Sequence, residues 1–361
     1  MQVSGLIITH QLSDEAMGWF SGFKEVVDEI VAFVDEERAS PGVHERLREI
    51  GARVLSSYAP TFYELDFAQM WAACRGEWVL RVDYDEELSP EWRDPRWREI
   101  LDRTPYTHFH SPRRWVASSG NFLNCAPWWP DWQMRLCRND PAAMTFPRKL
   151  HDTIKVAGAG AYLRTLAVHH YDLPLTSREA RERKVRGYEE LRPGYGLGYF
   201  YLFEDHSPPQ SPVPRESDFH PEREILRMEP VAPSEISALS LHAALPPKRM
   251  HSGELLWLDV EVTNGSRVAL RCGTPFPVNL AYHWMKSERR EISIFDGERT
   301  AILPEVSPGT TGVWKVFIIA PDEPGEYLLQ VTMVQDGVRW FEAENPNLLQ
   351  EFAVTVRPED Q

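Results

Sequence analysis

Apolar and polar residues in the first 85 positions form blocks that predict strands separated by helices. Four short apolar runs are typical of buried strands: Val3–Thr9, Ile30–Val34, Arg53–Ser56 and Trp78–Asp83. Helix signals lie between them. One predicted helix is capped by Ser13, a second starts at Pro41 and stops at Gly51, and a short third covers Asp66–Cys74. Strands that alternate with helices predict a parallel, doubly wound α/β sheet.

Polar residues follow several of these strands directly. Thr9 and Asp35 end the first two strands, and Asp83 and Asp85 follow the fourth, in the run WVLRVDYDEEL. In an open α/β sheet, ligands gather outside the carboxyl ends of the strands, and hard cations prefer carboxylates and phosphate oxygens. The pattern therefore predicts a Mg²⁺ or Mn²⁺ site with a nucleotide nearby. The alternative is a solvated acidic turn before Pro90.

The pattern changes after residue 206. Residues 207–227 begin with the Pro-rich run SPPQSPVPRES, whose composition predicts a semi-rigid linker between a domain at 1–206 and one at 228–361. Short alternating strands with turn signals between them then follow: Leu255–Val262, Val278–Trp284, Ile292–Phe295, Gly312–Ile319 and Tyr327–Val334. This spacing predicts an all-β, immunoglobulin-like sandwich. The segments PVNLAYHW, FDGERTAILPEVSPG and APDEPGEYLLQVTMVQDGVRWF resemble accessory sandwich domains of bacterial polysaccharide-processing proteins, which implies a carbohydrate-binding or docking module.

Composition narrows the classes of partner. The 361 residues carry a formal net charge of −15, which argues against nucleic acid as the main partner because a negative surface repels phosphate polymers. The N-terminus lacks a signal-peptide pattern, and no apolar run is long enough for a transmembrane segment. Four scattered cysteines without zinc spacing favour a reducing compartment. We therefore expect a cytoplasmic protein, with peripheral membrane association left open.

An ordered set of segments between about Val3 and Asp205 resembles the family 2 glycosyltransferases. The resemblance is carried by VSGLIITHQLSD, DEIVAFVDEE, GARVLSSYA, LDFAQMWAACRGEWVLRVDYDEEL, QMRLCRND, FPRKLHDTI and VHHYDLP. It implies a GT-A fold, a nucleotide-diphosphate-sugar donor, Mn²⁺ or Mg²⁺, and inverting transfer to a glycan or glycoconjugate acceptor. Bacterial polysaccharide or glycoconjugate synthesis is the implied setting.

The resemblance also implies roles for particular residues. The donor would be held by Thr9, Asp35, Asp83 and Arg135, the metal ion by Asp85, His151 and His170, and Asp152 would be the general base. Two segments depart from the family: EERASPG replaces the S-x-D-G-T loop after Asp35, and Met70-Trp71 replaces Arg-Asn. A second hypothesis is therefore a non-catalytic glycan- or nucleotide-binding protein that keeps the fold.

Three further groups carry weaker hypotheses. His108 and His110 share a strand face and suit a metal, although such a pair without a third ligand nearby is more often a polar strand edge. Aromatic residues suit either sugar rings or core packing. One group is a candidate platform for the acceptor sugar: Trp115, Trp128, Trp129 and Trp132. A second group could contact a glycan on the β-sandwich: Tyr282, Trp284, Trp340 and Phe341.

Overall fold

The computed structural model describes residues 1–58, 66–102, 104–147, 154–191, 197–273 and 275–358. The chain divides into two compact units. Unit 1 comprises Met1–Thr176 and Pro209–Arg227, and unit 2 comprises Ser177–Pro208 and Met228–Gln361. Within the described ranges, every helix is too short or too polar to cross a membrane.

Unit 1 is a mixed α/β unit. Its strands are β1 Val3–Thr9, β2 Glu29–Asp35, β3 Arg53–Ser57, β4 Trp78–Asp83, β5 Glu86–Leu88, β6 His108–Trp115, β7 Asn121–Leu123, β8 Asp131–Arg138, β9 Met144–Thr145, β10 Lys155–Val156, β11 Gly160–Leu163, β12 Val168–His170, β13 Gln210–Pro212 and β14 Ile225–Leu226. Its helices are α1 Asp14–Phe23, α2 Val43–Glu49, α3 Phe67–Ala73 and α4 Asp172–Leu175. Ser13 caps α1, because its hydroxyl accepts a hydrogen bond from the Ala16 amide at 3.1 Å.

One large sheet organises unit 1. Its strand order is β14-β11-β6-β8-β4-β1-β2-β3, and β12 joins it between β5 and β6. The neighbours β4, β1, β2 and β3 pair in parallel, whereas β8 runs antiparallel to both β4 and β6. The parallel strands therefore place their carboxyl ends at one edge of the sheet, and β8 runs between that group and β6.

The parallel strands are covered on both faces. All seven residues of β1 are buried; Val3 and Ile7 pack into one hydrophobic cluster, and Leu6 and Ile8 into another. Burial on both sides explains why these strands are continuous apolar runs without polar alternation. Gly5 permits the close packing of α1, because a Cβ there would lie 2.5 Å from the Phe23 ring.

The structure contradicts the predicted linker. Within 207–227, β13 pairs antiparallel with β7, and β14 pairs with β11. The buried Glu224 carboxylate accepts hydrogen bonds from the amides of Thr165 at 2.8 Å and Leu166 at 2.9 Å. The Pro-rich composition was misleading because proline is compatible with a short edge strand that needs few backbone donors. The predicted boundary at 206 is likewise displaced, since residues 177–208 group with unit 2.

Unit 2 is mostly β-structure. Its strands are β15 Leu239–Ala243, β16 Arg249–His251, β17 Leu255–Asn264, β18 Val278–Lys286, β19 Glu291–Ile294, β20 Thr300–Ala301, β21 Thr310–Ile319, β22 Gly325–Gln335, β23 Arg339–Trp340 and β24 Gln350–Arg357. Its helices are α5 Arg178–Leu191, α6 Leu197–Tyr201 and α7 Pro233–Ile236.

Two sheets of unit 2 share one hydrophobic core. The smaller has the order β15-β17-β21, and the larger has the order β16-β24-β22-β18-β19, with β20 beside β18 and β23 beside β22. Val260 and Val316 from the smaller sheet join the same buried cluster as Trp284 and Leu329 from the larger one. Strand β17 alternates between exposed and buried residues, which is the pattern of a sheet with one face in the core and one in solvent.

Candidate functional site

Three of the predicted site residues lie at the carboxyl ends of the parallel strands. Strand pairing sets Asp83 opposite Ile8, and Thr9 opposite Val34, so that Asp35 follows at the same edge. Asp35 is buried to 7% exposure, while the Asp83 side chain keeps 22% exposure. The strand register therefore gathers two carboxylates from separate parts of the chain at one end of the sheet.

Asp85 and His170 are brought together by the short strands β5 and β12. These strands are antiparallel, with His170 opposite Glu86, and the Tyr171 amide donates to the Asp85 carbonyl oxygen at 2.8 Å. As a result, His170 Nε2 lies 3.3 Å from Asp85 Oδ2. The imidazole is held edge to face against the Trp115 ring, with ring centroids 4.6 Å apart. The pair is thus positioned by backbone pairing and by an aromatic wall.

The Asp83 carboxylate belongs to a buried charge network. Arg135 donates to it at 3.0 Å and also to Glu86, while Arg81 lies 3.5 Å from it and Arg113 lies 3.9 Å from Glu86. Burial by itself would raise the pKa of Asp83, but the charges of Arg81, Arg135 and Arg113 more than offset this effect and hold its pKa at about 2. Asp83 is therefore a carboxylate at neutral pH.

Two predicted donor-binding residues do not present their side chains to solvent. The Arg135 side chain is 1% exposed and lies behind Asp83 and Glu86, which means that it fixes Asp83 and does not reach a diphosphate directly. Thr9 is 2% exposed, and its hydroxyl donates to the Gln11 carbonyl oxygen and accepts from the Gln11 amide at 3.0 Å. Thr9 shapes the turn after β1.

His10 is a site residue that the sequence reasoning missed. Burial lowers the pKa of His10, Arg38 lowers it further, and the carboxylates of Asp35 and Asp85 offset these effects only in part. His10 directly follows β1, which pairs with β4 on one side and β2 on the other, so His10 lies between the ends of those two strands. Its ring meets Tyr84 edge to face, with centroids 4.8 Å apart. Its place directly after the β1 strand was the available signal.

A second aromatic pair borders the same strand ends. Trp19 of α1 stacks on Tyr171, with ring centroids 4.4 Å apart and an interplanar angle of 18°. The Tyr171 hydroxyl donates to Glu87 at 2.7 Å. Burial and the neighbouring Glu87 carboxylate raise the pKa of Tyr171, which keeps the hydroxyl protonated as a donor. Neither partner of this pair was predicted, because no short-range pattern links them.

The described residues offer two ligands for a metal ion, Asp85 and His170. Within the ranges that the structure describes, no cluster of three or more His, Cys, Asp or Glu side chains is arranged to hold one. His151 and Asp152, the other predicted metal ligand and the predicted base, lie outside those ranges. Mg²⁺ is commonly held by one or two carboxylates plus water and substrate phosphates, and Asp85 supplies such a carboxylate. The His170 imidazole suits a softer ion such as Mn²⁺, so a two-residue site is chemically adequate.

Two further atoms of the site are open to a ligand. Asp83 Oδ1 and His170 Nδ1 are buried and have no hydrogen-bond partner among the described residues. Ligands at right angles around an ion of the Mg²⁺ class, each at roughly 2.1 Å, lie about 3 Å apart, which is close to the 3.3 Å between Asp85 and His170. The arrangement can therefore accept a cation and an electronegative ligand together.

Other predicted candidates have structural roles in the described chain. His108 and His110 have ring centroids 5.4 Å apart, and burial lowers both pKa values, that of His110 to about 4. Most of the tryptophans proposed as an acceptor platform pack in the interior, with exposures of 2%, 1% and 7% for Trp115, Trp128 and Trp132. Core packing, not sugar stacking, explains these three.

Comparison with known proteins gives distant structural likeness only. No protein-family model matches the chain, and no protein of curated function matches it. A mycobacterial protein of known structure is 19% identical over 32% of this chain and 41% of its own, with a TM-score of 0.27. The mannosyltransferase PcManGT from Pyrobaculum calidifontis, solved with GDP-Man and Mn²⁺, is 14% identical over 31% of this chain and 36% of its own, with a TM-score of 0.27.

A third similar structure belongs to an enzyme whose activity differs from that of the mannosyltransferase. A β-glucosidase from Listeria innocua is 16% identical over 34% of this chain and 16% of its own, with a TM-score of 0.22. The matches to these three proteins cover less than half of each of their chains.

Proposed function

We propose that the protein is a metal-dependent, inverting glycosyltransferase. It moves a sugar from a nucleotide-diphosphate donor to a hydroxyl of a glycan or glycoconjugate, on a GT-A-type unit 1 joined to an immunoglobulin-like unit 2. One observation carries the proposal: His170 Nε2 lies 3.3 Å from Asp85 Oδ2, close to the end of the strand that carries the ionised Asp83. Carboxylates and an imidazole at the mouth of parallel strands suit a metal-bound diphosphate.

The donor is held by groups with separate tasks. Asp35 and Asp83 are acceptor-only carboxylates, so they suit the N–H groups of a base and the hydroxyls of a ribose. The buried Arg135 keeps Asp83 ionised and in place. Asp85 and His170 would hold Mn²⁺ or Mg²⁺, which stabilises the negative charge left on the departing diphosphate.

The acceptor hydroxyl has to lose its proton as it attacks the anomeric carbon from the face opposite the diphosphate. A carboxylate within hydrogen-bond reach serves as the general base. We assign this role to Asp152 on the strength of the family resemblance, because the structure does not describe that residue. Trp19 and Tyr171 border the same strand ends and suit the apolar face of an acceptor sugar.

A second candidate is a binding protein without turnover. The Asp35 carboxylate lies 3.5 Å from Arg38, which belongs to the segment EERASPG that departs from the family. An arginine paired with Asp35 competes with a nucleoside base for the same oxygens. This contact favours a protein that binds a glycan, or a nucleotide sugar through its diphosphate, on the same fold without transferring sugar.

The transfer reaction itself tests the first candidate. The full chain is incubated with UDP-sugars and GDP-sugars, Mn²⁺ and an oligosaccharide acceptor, and both nucleoside diphosphate release and acceptor labelling are followed. We expect transfer that Asp152→Asn reduces by about 10²–10⁴-fold while donor affinity stays unchanged, because Asn cannot take the proton.

The exposed Asp102 supplies a matched control, and Asp102→Asn should leave turnover unchanged. Donor binding without transfer by the wild-type chain would favour the binding protein. Full turnover by Asp152→Asn would instead remove Asp152 as the base.

A further inference from the structure

Unit 2 exposes a tryptophan on the outer face of its smaller sheet. Trp257 is 46% exposed, whereas Trp284 in the core of the same unit is 0% exposed. The alternation along β17 places Trp257, Asp259 and Leu255 on the solvent side. Isolated exposed apolar residues need no explanation, but Val313 on the paired strand is also 63% exposed. The exposed residues thus form a patch on one face.

A groove of about 560 Å³ runs along this patch. Its strand side carries Trp257, Trp314, Asp259 and Lys315, and Tyr199 and Glu189 of the α5–α6 region line it on the other side. Pockets for small ligands are mostly apolar, with a few polar groups, and enclose roughly 300–1,000 Å³. The groove therefore has the size and the mixed lining of a ligand site.

The strand side of the groove is held in place before any ligand arrives. Trp314 Nε1 donates to the Pro304 carbonyl oxygen at 2.9 Å, and the Trp257 ring packs against Phe317 with centroids 5.0 Å apart. Lys315 Nζ lies 2.6 Å from Asp259 Oδ1, across the pairing of β17 with β21. Side chains fixed in this way lose little freedom on binding.

We propose that this groove binds a neutral oligosaccharide. Sugar rings present an apolar C–H face and a rim of hydroxyls. The exposed indole of Trp257 suits the first, and the carboxylate and ammonium of Asp259 and Lys315 suit the second. The chain carries a net charge of −15, which disfavours polyphosphate and nucleic-acid ligands.

This site differs from the one expected from the sequence. Tyr282, Trp284 and Phe341, named as sandwich contacts for a glycan, are buried at 2%, 0% and 0% exposure. They cannot meet a ligand because they fill the core. The glycan groove does not depend on the proposed transfer activity, since all of its lining residues belong to unit 2.

Affinity electrophoresis of the full chain tests the proposal. Native gels contain dextran, laminarin, mannan or pullulan, with dextran sulfate as the anionic comparison. We expect at least one neutral polysaccharide to retard the wild-type chain, and Trp257→Ala to weaken that interaction about tenfold or more, as for a central aromatic contact. Trp257→Phe, which keeps an aromatic face, should retain most of the binding.

Leu255→Ala is the matched control. Leu255 lies on the same strand and the same face, is 58% exposed and does not line the groove, so its truncation should leave retardation unchanged. The proposal is wrong if none of the neutral polysaccharides retards the chain, if dextran sulfate alone does so, or if Trp257→Ala binds as tightly as the wild type. Loss of self-association in Trp257→Ala, without any polysaccharide binding, would also overturn it in favour of a second copy in the groove.

Discussion

The ion pairs of the two candidate sites, one in each unit, differ in their burial. In unit 1, Arg135 is 1% exposed and lies between the carboxylates of Asp83 and Glu86. In unit 2, the Asp259–Lys315 pair is 55% and 61% exposed, and the core beneath it is apolar. Burying ions costs free energy unless each is paired, whereas surface pairs contribute little. We infer from this contrast that the charges around Asp83 serve a site and not stability alone.

The largest expected effect comes from removing the buried arginine. Arg135→Met leaves the buried Glu86 and the partly buried Asp83 without their main partner, and we expect the free energy of unfolding to fall by about 3 kcal/mol or more. Urea denaturation of the full chain, followed by tryptophan fluorescence, measures the change.

Lys315→Met makes the corresponding change in unit 2. It removes an exposed partner of Asp259, so the free energy of unfolding should change by no more than about 1 kcal/mol. Equal losses of unfolding free energy in the two variants would show that the buried and the exposed ion pair contribute alike to stability.

A smaller effect should appear in the pH dependence of stability. The pKa of Asp83 is about 2 in the folded chain and 3.8 as an unperturbed group, so its charge stabilises the fold above about pH 4 and this contribution is lost as the pH falls towards 2. The full contribution is roughly 2 kcal/mol, of which about 1 kcal/mol should be lost by about pH 3.

The comparison of wild type with Asp83→Asn isolates this carboxylate, because the other titrating groups are shared. Their difference in unfolding free energy should narrow steadily from about pH 6 to pH 2. A constant difference across that range would show that the arginines around Asp83 do not hold its pKa down.

The sequence pattern predicted the parallel strands well. Strands β1 and β4 end where expected, at Thr9 and Asp83, and β2 differs by one residue at each end. These strands are buried on both faces, so their apolar runs are uninterrupted and the polar residues at their ends can be recognised in the sequence. The placement of Asp35 and Asp83 at one sheet edge follows from that pattern alone.

The rest depends on contacts that no short-range pattern contains. Arg135 reaches Asp83 because β8 is antiparallel to β4, and that pairing cannot be derived from either strand alone. Segment 207–227 has the composition of a linker, but Glu224 binds the amides of Thr165 and Leu166. Likewise, nothing local separated the buried Trp284 from the exposed Trp257, since both lie in apolar strands.

The central claim is that a metal ion joins Asp85 and His170 to a nucleoside diphosphate, and metal-dependent stabilisation tests it most directly. UDP and GDP are each added to the full chain with Mn²⁺ or with EDTA, and thermal unfolding is followed for the wild type, Asp85→Asn and the control Asp102→Asn. A nucleotide at 100 times its dissociation constant should add about 2.7 kcal/mol in the presence of Mn²⁺. The account predicts this gain for the wild type and for Asp102→Asn, and its loss with EDTA or in Asp85→Asn. Stabilisation that persists in EDTA, or that Asp85→Asn retains in full, would contradict the account.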